Sequence, residues 1–291
     1  MRVVTDDKHY HDIGEAIREK NGTETQYKPS EMADAVRDIP SGGADFSEVE
    51  SKLSNGYTNY KQYFYSNIAM TEAPVEILQH TSNARDFSNM FLGCTAMTTV
   101  PLFNVSNGTT FYQMFRDCSS LLTAPQFDLS SATTVQGMFT NCQALTTVAQ
   151  FDTSNCVTFT NMFSNTSLTA VPQLNTSKGE AFGYMFNNCK KLTTVGGIDL
   201  SLATGIANMF SSCTALENIT FNGVIKITGL SLSPCSKLTH DSLMSAINAL
   251  YDWVTDGSGS GTYTLTLGTD NLAKLTDAEK AIATQKGWTL A

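Results

Sequence analysis

Residues 87–106 read FSNMFLGCTAMTTVPLFNVS, and residues 111–130 repeat the phrase as FYQMFRDCSSLLTAPQFDLS. Four more copies follow: VQGMFTNCQALTTVAQFDTS at 135–154, FTNMFSNTSLTAVPQLNTS at 159–177, FGYMFNNCKKLTTVGGIDLS at 182–201 and IANMFSSCTALENITFN at 206–222. The Met-Phe pairs fall at Met90-Phe91, Met114-Phe115, Met138-Phe139, Met162-Phe163, Met185-Phe186 and Met209-Phe210, so successive spacings are 24, 24, 24, 23 and 24. The short interval is one deletion near Thr166-Ser167-Leu168. A period in the twenties held this strictly implies a solenoid, because one unit cannot bury its apolar face alone and stacks on its neighbours.

Within a unit the apolar spacing is i, i+3, i+4, as in Phe87, Met90 and Phe91 or Phe182, Met185 and Phe186. That spacing predicts one or two inward-facing helical turns. Three residues on comes Cys94, Cys118, Cys142, Cys189 or Cys213, small and apolar where the chain turns. Leu-x-x-Val (Leu145 to Val148, Leu192 to Val195) then predicts a short strand. Pro101, Pro125 and Pro172 close it, before an inward Phe103, Phe127 or Phe151 and a polar Asp/Asn-x-Ser turn. Stacking such strands gives a narrow parallel sheet with rungs about 4.8 Å apart.

The phrase MFxxCxxLTTVPxFDTSN resembles the leucine-rich repeats of BspA-like bacterial surface proteins and the related repeats of bacteriophage structural proteins. The expected fold is therefore an α/β repeat solenoid of leucine-rich-repeat-like coils, with a short parallel strand and a short helix in each. The stretch IGEAIREKNGTETQYKPSEMADAVRDI, from Ile13 to Ile39, resembles the helical segment that opens many phage tail and fibre proteins. The run from Leu238 to Ala291 resembles the C-terminal cap found after such repeats in phage-encoded proteins.

Composition bounds the partners. Of 291 residues, 41% are hydrophobic and only 15% charged, with a net charge of −9. That acidity argues against a nucleic acid or an anionic membrane as partner. Charge is concentrated in residues 1–50, whereas the repeats are rich in Thr, Ser, Asn and Gln, which places a boundary near Ser41-Gly42-Gly43. We divide the chain into an N-terminal helical docking segment (1–44), an N-terminal capping coil (45–86), the solenoid (87–238) and an α+β C-terminal cap (239–291). The docking segment carries helix-like stretches at 13–18 and 29–36, and 45–56 reads as a further short helix. In the capping coil, Phe64, Asn67, Met70 and Ala73-Pro74 align with Phe91, Cys94, Met97 and Val100-Pro101. Its tyrosines, Tyr57, Tyr60, Tyr63 and Tyr65, are either a binding platform or partly buried cap residues. In the C-terminal cap, Ser242–Leu250 reads as an amphipathic helix and Thr262–Leu267 as a strand, and Thr276-Asp277-Ala278-Glu279 is a capping box.

Catalysis is not expected. His9, His11, His80 and His240 sit in no nucleophile or metal-ligand motif, and nucleotide-binding glycine patterns are missing. Asp128, Asp152 and Asp199 recur once per unit, which is turn chemistry. No metal or other cofactor is expected, and the seven cysteines, with Cys156 outside the repeated position and Cys235 in a worn seventh unit, read as reduced core thiols. What remains is the outward ladder Thr98, Thr99, Thr123, Thr146, Thr147, Thr169, Thr193 and Thr194, beside a line of Gln126, Gln150 and Gln173. These hydroxyls and amides suit hydrogen bonding to a sugar or a polar protein epitope, although Thr also simply favours exposed strands. The ladder is similar to that of ice-binding solenoids, but two adjacent threonines cannot both face outward in an ideal strand.

The resemblance implies a virion protein of the tail or fibre type. Residues 1–44 would join other virion proteins, the solenoid would meet a host cell-surface glycan or protein, and the chain would be a homo-oligomer within the particle. Membrane insertion is not expected. The alternative is a bacterial cell-surface adhesin on the same repeats. The N-terminus MRVVTDDKHYHD has no apolar run of the signal-peptide kind, which favours the virion.

Overall fold

The repeated phrase dictates a repeated set of backbone hydrogen bonds. The N–H groups of Phe87, Asn89, Phe91 and Gly93 donate to the carbonyls of Thr110, Tyr112, Met114 and Arg116 in the next unit, at 2.8–3.0 Å. The intervening N–H groups of Met90, Leu92 and Cys94 close reverse turns onto Phe87, Asn89 and Phe91. The same alternation recurs from Phe111, Val135, Phe159 and Phe182. Half of the segment therefore bonds forward along the stack and half bonds to itself.

This arrangement corrects the expectation of a helix in each unit. In the structure, a computed structural model that describes residues 60–291 other than Pro74, Ser258 and Ser260, no helix lies between Thr81–Asn83 and His240–Ala249. The physical reason is a pair of left-handed residues four apart in each unit: Asn89 and Gly93, Gln113 and Asp117, Gly137 and Asn141, Asn161 and Asn165, Tyr184 and Asn188, Asn208 and Ser212. Each has φ between 53° and 76°. Left-handed backbone ends an α-helix, and Asn, Asp and Gly tolerate it best. The apolar i, i+3, i+4 spacing survives because a chain of turns also returns those side chains to one side. The helices expected within 1–56, the docking segment 1–44, Tyr57 and the His9/His11 pair lie outside the described residues.

The elements are short. Helix α1 (Val75–Leu78) and a 3-10 turn (Thr81–Asn83) precede strands β1 (Thr123–Ala124), β2 (Thr147–Val148), β3 (Ala170–Val171), β4 (Thr194–Asp199) and β5 (Asn218–Asn222). All pairings among them are parallel: β1 with β2, β3 with β4, β4 with β5. A second row of single parallel bridges runs Asp86, Thr110, Thr134, Thr158, Ala181 and Gly205. The described chain is thus a repeat-type α/β fold of short parallel strands and few helices, its units joined at both rows except between β2 and β3, which form no strand pair.

Between the rows lies the core. One column of rings stacks as Phe64, Phe91, Phe115, Phe139, Phe163, Phe186 and Phe210, with centroids 5.2–5.9 Å apart. Beside it, each thiol reaches back to the preceding unit. Cys94, Cys118, Cys142, Cys189 and Cys213 donate from Sγ to the carbonyls of Phe64, Phe91, Phe115, Phe163 and Phe186 at 3.0–3.1 Å. Thr166 takes the thiol's place in the shortened unit and turns its hydroxyl onto its own Phe163 carbonyl. The missing residue comes out of the reverse turn after this position, where other units close Leu onto Cys, as Leu145 does onto Cys142. Register is kept, since Thr169 N–H still meets the Thr146 carbonyl and Ala170 pairs with Thr194.

The left-handed residues before the thiols form a further column. Asn141 Nδ2 donates to Asp117 Oδ1 at 2.6 Å, Asn165 to Asn141 at 3.0 Å and Asn188 to Asn165 at 2.7 Å. Such side-chain ladders knit adjacent units without using backbone groups.

After β5 the stack stops growing. Its neighbour is helix α2 (His240–Ala249), whose Ser242 and Ser245 hydroxyls accept the Ile219 and Phe221 N–H groups at 3.0 and 2.9 Å. A strand edge that would otherwise recruit another chain is covered. Helices α3 (Trp253–Asp256), α4 (Thr269–Leu272) and α5 (Asp277–Gln285) and the parallel pair β6 (Tyr263–Leu265) and β7 (Trp288–Leu290) complete the cap. Asn271, fully buried in α4, donates to the carbonyls of Leu232, Cys235 and Leu267 and seals the worn last unit. Thr276 and Glu279 form a reciprocal capping box at the start of α5.

Asn141 separates two contributions to this fold. Asn141→Ala loses the amide ladder and forces alanine to φ 62°, and it should lower stability by about 2 kcal/mol. Asn141→Gly keeps the backbone and loses only the ladder, so urea denaturation should place it between the wild type and the alanine variant.

Candidate functional site

The threonines do not form one ladder. The backbone bonds sort them into two rows. Thr71, Thr98, Leu122, Thr146, Thr169, Thr193 and Glu217 follow one another in the first. The second holds the paired positions Glu72 and Thr99, Thr123 and Thr147, and Ala170, Thr194 and Asn218. Thr98, Thr99, Thr123, Thr146, Thr147 and Thr169 are exposed, whereas Thr193 and Thr194 are half-buried. Adjacent threonines do both face outward at Thr98-Thr99 and Thr146-Thr147, against the expectation from an ideal strand. The reason is brevity: Thr99 makes a single bridge and Thr147 opens the two-residue β2, while Thr98 and Thr146 precede them, so no regular strand runs through either pair to impose alternation. Leu122 and Ala170 interrupt the rows, so the hydroxyl array is broken rather than continuous.

Gln126, Gln150 and Gln173 occupy a different place. They line a groove of about 560 Å³, together with Asp152, Asn175, Asp199 and Asn222, over Phe151 and Leu174. The lining comes from five consecutive units, so the groove runs along the stacking direction. All three glutamines are exposed. Two glycines in β4 keep it open. A side chain at Gly196 would meet the Gln173 backbone at 2.5 Å, and one at Gly197 would displace the Asn222 amide. A bulge between Val195 and Ile198 puts both glycines at this wall. The Gln spacing was readable in the sequence; the groove was not, because it depends on Gly196-Gly197 standing where the three preceding units have Pro-Gln or Ala-Gln.

The recurrent aspartates serve turns. Asp128, Asp152 and Asp199 each accept the N–H of the serine two residues on, at 2.8–3.0 Å, and Asn104 and Asn175 do the same. At Asp152 the Ser154 N–H and hydroxyl hold the carboxyl below its ordinary range, so it is ionised in neutral solution. Lys178 Nζ reaches Asn155 Oδ1 on the same edge at 2.6 Å.

Other candidates fall away from the surface. Tyr60 and Tyr63 are buried in the core and only Tyr65 is exposed, so the described tyrosines do not make a platform. His240 bonds Glu279 at 2.8 Å, tying α2 to α5. Among the described residues, no group of three His, Cys, Asp or Glu is placed to hold a metal ion, and no helix is long and apolar enough to cross a membrane. All seven cysteines are free and buried. Burial pushes the thiols up, those of Cys94, Cys156 and Cys235 to about 12.

Stacked units, parallel rungs and one polar, cation-poor groove define a repeat protein with an extended lateral face. The family described as Mycoplasma protein of unknown function, DUF285, matches residues 56–170 and again 122–222. Those matches cover more than half of the 291 residues, and the chain belongs to that family. Their overlap follows from the repeat, since either window can be laid on the same units. No curated protein and no solved structure matches the chain.

The thiolate is the reactive form of cysteine, so thiols raised this far should not react while folded. With a chromogenic disulfide reagent at pH 8, native protein should release no colour on the timescale in which guanidinium-unfolded protein titrates seven thiols. Prompt reaction of native protein would contradict the buried column.

Proposed function

We propose that the chain is a leucine-rich-repeat solenoid of the BspA-like type serving as a bacteriophage virion protein, a tail or fibre component that meets a host receptor or a neighbouring subunit through its polar lateral face. The observation that carries the binding half of this reading is the groove of Gln126, Gln150 and Gln173 with the exposed threonine rows nearby along the chain. Hydroxyls and amides carried on stacked, hydrogen-bonded units need less backbone ordering before they bind than the same groups on a loose loop. The virion half rests on the resemblance of residues 13–39 and of the C-terminal cap to phage-encoded proteins. In this reading residues 1–44 dock on the particle, copies of the chain assemble there, and the host supplies a surface glycan or protein.

The family description favours a second reading. A family described from Mycoplasma is a cellular one, and the same face on a cell would serve a surface adhesin. Both readings share the binding face and differ in where the protein resides.

Location and binding are tested together. Antibody raised against the full chain should label tail particles of the producing phage, and fluorescently labelled full chain should bind intact bacterial cells. Label on producing cells without label on particles would select the adhesin. Replacing Thr146 and Thr147 together by Ala removes two exposed hydroxyls and should weaken cell binding about fivefold, with the unfolding midpoint unchanged. Undiminished binding would remove the threonine rows from the site.

A further inference from the structure

We propose that the groove holds a neutral polysaccharide lengthwise, each successive sugar meeting the side-chain amide of the next unit. This deepens the binding face proposed above and rests on it. Shape comes first. The groove is contributed by Gln126, then Gln150 and Asp152, then Gln173 and Asn175, then Asp199, then Asn222, one unit after another. Its occupant is therefore long and narrow, and at about 4.8 Å per rung it spans several rungs.

The lining chemistry selects the class. Gln126, Gln150, Gln173 and Asn222 each offer two donors and an acceptor carbonyl, the complement of a sugar hydroxyl, which both donates and accepts. None of these four amides has a hydrogen-bond partner among the described residues. Asn175 and Asp199 already hold their turns through Oδ1, accepting from Ser177 and Ser201. The ionisable groups in the lining are Asp152 and Asp199, with no Lys, Arg or His among the lining residues; Lys178, on the same edge, is turned onto Asn155. Two carboxylates in a lining that holds no cation of its own disfavour phosphate-, sulfate- or carboxylate-bearing polymers.

Pitch separates a sugar chain from a peptide. An extended peptide presents the same face every second residue, about 6.6 Å apart, and falls out of step with rungs at about 4.8 Å. A pyranose linked across its ring advances by about one rung, so a chain whose successive rings are turned over returns the same face every second rung and stays in step with the amides. Gly196 and Gly197 fit this picture, since side chains there would press on Gln173 and Asn222 and close the groove at its fourth unit.

The test is native gel electrophoresis of the full chain through gels containing one soluble polymer each: amylose, mixed-linkage β-glucan, galactomannan or α-mannan, with alginate as the anionic control. At least one neutral polymer should retard the wild type and alginate should not. Gln150→Ala with Gln173→Ala should weaken the retardation about tenfold, and Gly197→Ala should weaken it too. Asp270→Asn, exposed in the C-terminal cap and away from the groove, should leave it unchanged. All variants are first matched to the wild type by thermal unfolding. Retardation by no neutral polymer, equal retardation of the glutamine variant, or preference for alginate would each overturn the proposal. Cell binding by the same labelled proteins separates the two levels. Cells bound equally by wild type and glutamine variant would defeat the glycan groove while the surface-binding reading stands. Retardation with no cell bound would defeat that reading and leave the groove.

Discussion

Everything in the repeat follows from one constraint, that alternate backbone N–H groups of each unit must find carbonyls in the next. Phe87, Asn89, Phe91 and Gly93 all donate in one direction, which is possible only if the chain turns back on itself twice within a few residues. The left-handed residues at Asn89 and Gly93 supply those turns. Buried backbone donors are costly to leave unmade. The need to satisfy them fixes the spacing between units, and that spacing brings the phenylalanine rings to 5.2–5.9 Å and the thiols within reach of carbonyls. Core packing and the polar face are both consequences of the ladder.

That constraint explains which features could be read from the residues. Periodicity, the inward Met-Phe pairs, the deletion at Thr166-Ser167-Leu168 and the Asp-x-Ser turns all reflect contacts repeated in every unit, so they stand out in a single sequence. The helix did not survive, because i, i+3, i+4 spacing reports only that three side chains share a side and says nothing of the backbone between them. The contrary signal was present in Asn89, Asn141, Asn161, Asn165, Asn188 and Asn208, residues that favour left-handed backbone, at two fixed positions around Met-Phe. The capping box at Thr276 was legible because its four residues are contiguous.

The polar lateral face was legible in composition but not in arrangement. Thr98, Thr146 and Thr169 share one row and Thr123 and Thr147 the other, a division that depends on where each unit turns its corner. Ordering the eight threonines by residue number merges what the backbone keeps apart. The glutamines were treated as a companion line, yet they reach a groove whose walls come from Asp152, Asn175, Asp199 and Asn222. Asp152 and Asp199 read as turn residues alone in the sequence. A side chain can hold a turn through one oxygen and still line a surface, and Asn175 does both.

The shortened unit at Thr166 carries a wider consequence. Losing a residue from its reverse turn leaves β2 and β3 without a strand pair, yet the backbone bonds from Thr169 to Thr146 and from Thr193 to Thr169 still form, because those joining groups lie elsewhere in the unit. Each unit therefore presents the same joint to its neighbours whatever its own loops contain. Duplication or loss of a whole unit within the coding sequence would reseal at an equivalent joint, and the lateral face would lengthen or shorten by one step with its chemistry unaltered. The reach of this surface is in that sense a heritable dial, turned by copy number rather than by point substitution.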